Sequence, residues 1–178
     1  MTGADEFEAF VRRYEDMVYA TAVRLLGNRA EAEDVAQTVF LKAFERYDGL
    51  RISPSAGGWL KTVATNLCLN HLSRYRRRWR FFSELDSDKT VPASEAIASL
   101  ASSVVDDLQR AEESTSLERA LAALPDHQRV PLALFHFDGQ SYEQIASTLR
   151  ISLGKLKTDM HRGRLALKRQ LAPAHGSR

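Results

Sequence analysis

Apolar residues in this chain recur every three or four positions wherever they recur in register, and no segment alternates with the two-residue period of a half-buried strand. From Phe7 onward, Phe10, Val11, Tyr14, Val18, Ala22 and Leu25 make one stripe, stopped by Gly27-Asn28. Ala32, Val35, Ala36, Val39, Phe40, Ala43 and Phe44 make a second over about 30–47, closed by Asp48-Gly49. After a loop holding Ser53-Pro54 and Gly57-Gly58, a third helix is predicted from near Trp59 through Leu60, Val63, Ala64, Leu67 and Leu72. Further on, Leu117, Ala120, Leu121 and Leu124 share a stripe ending at Pro125-Asp126, and Val130, Ala133, Leu134 and Phe137 share another ending at Asp138-Gly139. The expected fold class is therefore all-α.

These stripes form two groups. Residues 83–105 between them are rich in serine, alanine and acid, contain Pro92, and hold too few large apolar side chains to build a core. Ile97, Leu100, Val104 and Leu108 would allow a helix in part of that stretch. A chain of 178 residues suffices for two small helical cores. The expected organisation is a helical domain at 1–82, a flexible acidic linker at 83–105 and a second helical domain at 106–178.

The formal net charge of +2 hides a segregation along the chain. Arg74, Arg76, Arg77, Arg78 and Arg80 form one basic cluster; Arg150, Lys155, Lys157, Arg162, Arg164, Lys168 and Arg169 form another. Between them Glu84, Asp86, Asp88, Glu95, Asp106, Asp107, Glu112 and Glu113 face only Lys89 and Arg110. Two polyanion contacts separated by a repelling connector fit this order.

Cys68, the only cysteine, lies between Leu67 and Leu69, which suits a buried, inert thiol; redox sensing is the alternative. His71, His127, His136, His161 and His175 make no metal-ligand spacing, and no phosphate loop or nucleophile motif is present, so neither a catalytic residue, a metal nor a cofactor is expected. Without an apolar run of bilayer length or a visible secretory signal, no membrane insertion is expected, and the cytoplasm is the expected location.

The segment from Ser141 is the most specific. Ser141 and Gln144 have the spacing of a capping box, which starts a helix with Tyr142, Ile145, Ala146 and Leu149 on one face. Arg150-Ile151-Ser152 makes a short turn, and Ser152 can cap a longer helix through Leu156, Met160 and Leu167. Small Ala146 suits a close crossing, and Ile151 can plug the turn, so the pair reads as a helix-turn-helix. The second helix is expected to turn Lys155, Lys157, Thr158, Asp159, His161, Arg162 and Arg164 outward, a set suited to phosphates and base edges in the major groove. A solvated basic helix packed on a neighbour is the competing reading.

Ser141-Tyr-Glu-Gln-Ile-Ala146, the Ile151-Ser152 turn and Gly154 to Arg164 resemble the domain that reads the minus-thirty-five element in extracytoplasmic-function sigma factors of the sigma-70 family, and Leu121 to Arg129 resembles that domain's entry. Ala32 to Phe44 is similar to the helix by which such factors dock on the polymerase clamp, and Trp59 through Arg78 looks like the helix that reads the minus-ten element. The resemblance implies a sigma2-like bundle and a sigma4-like helix-turn-helix domain. It implies as partners core RNA polymerase, through the clamp helices and flap of its large subunits, promoter DNA, and an anti-sigma factor.

Site residues follow from the same match. Asp34, Gln37, Leu41 and Lys42 lie off the core stripe; spacing alone favours a plain solvated face, and it is the resemblance that implies a grip on the polymerase coiled coil, with Leu41 as apolar anchor. Asn66 and Asn70 share a helix face and would hold displaced bases of the minus-ten element, with Arg74, Arg76, Arg77 and Arg78 on phosphates; capping or solvent exposure is the plainer role for the asparagines. By resemblance, the loop from Ser53 to Gly58 would wall a pocket for a flipped base. The linker would thread the polymerase toward its RNA exit path or act as a plain tether.

Two departures from the family pattern stand out. Arg150 replaces a common glycine and requires either a relaxed turn or a left-handed residue. Asp159 replaces a common basic residue, which would weaken phosphate attraction and shift base choice, for example toward cytosine. The expected function is promoter selection and melting as a polymerase subunit. The alternatives are an autonomous helix-turn-helix regulator, which would bind a palindromic duplex without polymerase, and an RNA-binding adaptor, which would prefer single-stranded RNA.

Overall fold

In the computed structural model, residues 3–73 and 107–172 are described, and they form eight α-helices with no strand among them. Two units divide the helices. The first contains α1 (Gly3–Leu26), α2 (Arg29–Glu45), the single turn α3 (Tyr47–Leu50) and α4 (Ala56–His71). The second contains α5 (Asp107–Ala122), α6 (Asp126–His136), α7 (Tyr142–Leu149) and α8 (Leu153–Leu171). The all-α class is as expected; the arginines Arg74, Arg76, Arg77 and Arg78 and the linker at 83–105 lie outside the described residues.

In the first unit α1, α2 and α4 pack against one another around Val18, Ala22, Leu25, Ala32, Val39, Ala43, Leu60, Ala64 and Cys68, all fully buried. Four of these are alanines, one or two from each helix, and small side chains let helix backbones approach closely. The α1–α2 corner is made locally. Gly27 takes a left-handed backbone at φ 66°, and the Asn28 side chain accepts the Glu31 N–H at 3.1 Å to cap α2. α2 ends two residues before the expected boundary, because Arg46 leaves helical geometry at φ −120°, ψ 16° and the chain re-forms as α3. α4 starts at Ala56, earlier than expected. Ala56 is buried, and the Tyr14 ring would lie 3.2 Å from a Cβ at Gly57, so the close approach excludes a larger side chain there without rearrangement.

Phe44 corrects the expected core. It is 62% exposed, with its ring edge-on to Phe7 at 5.0 Å, because the buried face of α2 runs through Val35, Val39 and Ala43.

The second unit is organised by α8, which packs on α5, α6 and α7. The crossing with α6 is tight: a Cβ at Gly163 would stand 2.7 Å from Leu132 Cδ1 and 3.3 Å from Gln128 Cβ. Leu132, Leu134, Ile145, Leu156 and Met160 fill the space between α6, α7 and α8. The turn from α7 to α8 takes the left-handed solution, with Arg150 at φ 56°, ψ 46°. The Ile151 N–H reaches back to the Ala146 carbonyl at 3.0 Å and the Arg150 N–H to Ser147 at 3.3 Å, the paired closure that usually has glycine in the left-handed place.

A left-handed residue with a Cβ costs about 1 kcal/mol relative to glycine. Arg150→Gly should therefore stabilise the protein by roughly that amount, read as a higher urea midpoint with unchanged slope.

Candidate nucleic-acid interface

Helices α7 and α8 are each started by a serine. The Ser141 hydroxyl accepts the Gln144 N–H at 3.2 Å while the Gln144 side chain accepts the Ser141 N–H at 2.8 Å, so the expected capping box is present in full. Ser152 accepts the Lys155 N–H at 3.1 Å and opens α8. Leu156, Met160 and Gly163 then face inward, and Leu167 is half-buried.

Of the seven expected outward residues, Lys157 is exposed and Thr158, His161, Arg162 and Arg164 are half-buried. The Thr158 hydroxyl donates to the Gly154 carbonyl at 3.0 Å. Arg164 is partly committed inward: Nη2 donates to the Tyr142 hydroxyl at 3.1 Å and the guanidinium lies over the Phe135 ring at 5.9 Å. It thereby ties α8 to α7 and α6.

Asp159 requires a correction. Its side chain is 2% exposed, not outward, and its carboxylate accepts the Lys155 ammonium at 2.9 Å, leaving the Lys155 side chain 12% exposed. Positions 156, 159 and 163 are three and four apart, so 159 falls on the stripe that packs against the module. Buried where it is, Asp159 has no access to a cytosine edge, and the expected shift in base choice does not follow. Burial pushes its carboxyl above the ordinary range, opposed by the Lys155 hydrogen bond and charge and then by His127 and Arg162. Burial likewise lowers His127 on α6, with Asp159 opposing and Lys155 and Arg162 adding to the fall.

A second buried charge went unread in the sequence. Arg129 is 3% exposed, donates to the Leu124 carbonyl at 2.8 Å and pairs with Asp126. It stitches the first turn of α6 to the end of α5. The three-residue spacing from Asp126, just after Pro125, was the available signal.

In the first unit, Asp34, Gln37, Leu41 and Lys42 are all exposed on α2, Leu41 at 67%. Gln37 and Leu41 line a groove of about 860 Å³ with Phe7, Val11, Phe40 and Phe44, to which Glu15, Asp16 and Glu33 also contribute. Asp34 and Lys42 are not among the lining residues. Asn66 and Asn70 are both exposed, one turn apart on α4. Beside them His71 lies 3.4 Å from Glu31 of α2. In the preceding loop the Ser53 and Ser55 hydroxyls are 3.0 Å apart. Cys68 is buried, as its neighbours implied. Among the described residues, no group of three or more metal-ligating side chains comes together, and no helix is long and apolar enough to cross a membrane.

A capped helix-turn-helix in one unit and a grooved, all-helical second unit in the same chain define the class, a two-module helical DNA-binding protein. Residues 10–78 match the family description Sigma-70 region 2, and residues 114–167 match Sigma-70, region 4. The ECF RNA polymerase sigma factor SigW of Bacillus subtilis is 31% identical over 167 residues, covering 94% of this chain and 89% of that protein. The RNA polymerase sigma-H factor of Pseudomonas aeruginosa is 30% identical over 172 residues, covering 94% and 86%. A solved structure of the sigma factor RpoE in complex with the anti-sigma factor NepR from Bartonella quintana is similar at 25% identity and a TM-score of 0.48, over 94% of this chain and 98% of that one. The chain belongs to the extracytoplasmic-function sigma factors of the sigma-70 family, whose members are not catalytic.

The lowered His127 carries a pH dependence. A histidine held neutral by burial contributes full stability above its ordinary value of 6.5 and loses it as pH falls toward the folded-state value, since the unfolded chain protonates first. Asp159, raised by burial, acts in the opposite sense. On going from about pH 7.5 to about pH 6, the thermal midpoint of the full chain should fall more than that of His127→Gln, as followed by circular dichroism.

Proposed function

We propose that this chain directs core RNA polymerase to specific promoters and promotes melting there, acting in the cytoplasm as a polymerase subunit without catalytic chemistry of its own. The observation that carries the reading is the order of parts: both sigma-70 regions in one chain, within relatives aligned over nearly its whole length.

The work divides between the modules. Residues 1–82 would bind polymerase through Asp34, Gln37, Leu41 and Lys42, with the groove beside Leu41 taking apolar side chains of a coiled-coil partner. Asn66 and Asn70 would hold unstacked minus-ten bases, with Arg74, Arg76, Arg77 and Arg78 on adjacent phosphates. Residues 83–105 would connect to 106–178, where α8 would enter the major groove of the minus-thirty-five element with Lys157, Thr158, His161, Arg162 and Arg164 toward DNA. The second module would also meet the polymerase flap. Leu41 and Phe44 leave an exposed apolar surface, which an anti-sigma factor would cover in the inactive state.

Mixing the chain with sigma-free core polymerase and genomic fragments should yield start-specific transcripts. Tight binding of a palindromic duplex by the chain alone, with no such transcripts, would favour an autonomous regulator instead.

At residue level, Arg162→Ala should weaken holoenzyme binding to the upstream element and flatten log affinity against log salt by about 0.9 for the lost phosphate. Asp34→Ala should lose to the wild-type chain in competition for core polymerase, by roughly tenfold for about 1.4 kcal/mol of lost docking energy.

A further inference from the structure

We propose that Asp159 is a positioning residue for upstream-element recognition: it holds the Lys155 ammonium inside the module, so that Lys155 neutralises no phosphate and the leading turn of α8 meets DNA without it. The inference rests on the reading of α8 as the groove-entering helix.

Three observations support it. The Lys155 and Asp159 side chains are 12% and 2% exposed, and the ammonium stands 2.9 Å from the carboxylate, a charge-assisted bond within the module. The helix itself gives this arrangement little help. Lys155 lies in the first turn, at the positive end of the α8 dipole, and a cation preceding its acid by four residues is the weaker order for such a pair. The carboxylate is therefore what retains the ammonium. The other charged groups facing Asp159 are His127 on α6 and Arg162 on α8 itself, while Asp126 faces His127.

The consequence concerns discrimination. Each phosphate neutralised by a lysine adds affinity for any duplex, whatever its sequence. Lys155 sits where groove-entering helices contact base edges. Released, it would add such indiscriminate attraction at the site of readout; tied down, it leaves Leu153, which is 41% exposed, and the open Gly154 surface to approach the bases. Asp159 thus sharpens the preference for the promoter over other DNA by withholding a charge.

Holoenzyme binding would be measured across salt on two duplexes: a promoter recovered by transcription from genomic fragments, and the same duplex with its upstream element scrambled. Lys157→Gln is the control and should flatten the salt slope by about 0.9. Lys155→Gln should leave the slope at the wild-type value. Asp159→Asn should steepen it by about 0.9 and lower the promoter-to-scrambled affinity ratio several-fold, as expected for one added phosphate contact. In the double variant K155Q/D159N both effects should vanish, which a merely structural role for Asp159 would not produce.

If Asp159→Asn does not fold, Lys155→Gln and the paired replacement K155M/D159L carry the test, and both should keep the wild-type slope. A flattened slope in Lys155→Gln, an Asp159→Asn effect that survives without Lys155, or a folded Asp159→Asn with no effect would overturn the proposal. Should Lys157→Gln and Arg162→Ala also leave the slope unchanged, the failure lies with α8 as the DNA-facing helix.

Discussion

The crossing of α6 and α8 is where the second module commits itself. With no side chain on Gly163, the backbone of α8 comes within reach of Leu132 and Gln128, and Leu156 and Met160 follow it into the core. That approach fixes which arc of α8 is internal. An inward stripe on a helix takes up a little over a quarter of its circumference, and a residue one place before Met160 falls inside it. Asp159 is carried below the surface by this geometry. A lone carboxylate there would be costly, and Lys155, one turn earlier, is the nearest means of compensation on the same helix. Close packing at one glycine thus settles the fate of an acid and a base that the composition of the helix alone would have assigned to solvent.

The first module applies the same economy with a different result. Ala22, Ala32, Ala43 and Ala64 let three helices pack closely, and of this module's described aromatic side chains only Phe10 is buried among them. The others gather at the edge. Phe7 meets Phe44 at 5.0 Å and Tyr47 at 5.1 Å, and Phe10 meets Tyr14 at 5.0 Å and Tyr47 at 5.5 Å, mostly edge to face or tilted. Such a rim leaves apolar area uncovered beside Leu41, with Glu15, Asp16 and Glu33 around the same groove. An exposed apolar surface of this kind is the sort that a protein partner covers.

Local signals were legible in the sequence where one residue decides one torsion or one cap. Gly27 and Asn28, the Ser141–Gln144 box and Ser152 all act within four positions, and each behaves as its residue type dictates. Burial was less legible. Asp159 sits on the internal stripe by spacing, yet its charge argued for the outside, and only the Gly163 crossing decides between the two. Arg129 misleads for the same reason: its partners, the Leu124 carbonyl and Asp126, become available only when α5 turns into α6. Phe44 fails in the other direction, since an apolar residue at the margin of the α2 stripe is indistinguishable from a core residue until the neighbouring helices are in place. For Arg150 the sequence left two backbone solutions open, and the double closure onto Ala146 and Ser147 selects the left-handed one.

These placements bear on whether α8 could serve an independent DNA-binding protein. Seven polar residues were available to it by sequence, but two pair with each other inside the module, and Arg164 shares its guanidinium with Tyr142 and Phe135. Lys157, Lys168 and Arg169 remain exposed on it, and Arg162 half-buried. Sequence-independent affinity grows with the number of phosphates neutralised, so each cation held inward lowers what the helix offers to any duplex alike. Discrimination of this kind gains most when a second attachment raises the local concentration of the reading helix at its target. The exposed groove of the first module has the apolar lining that such an attachment on a protein partner needs, so the two modules suit a subunit better than a free-standing regulator.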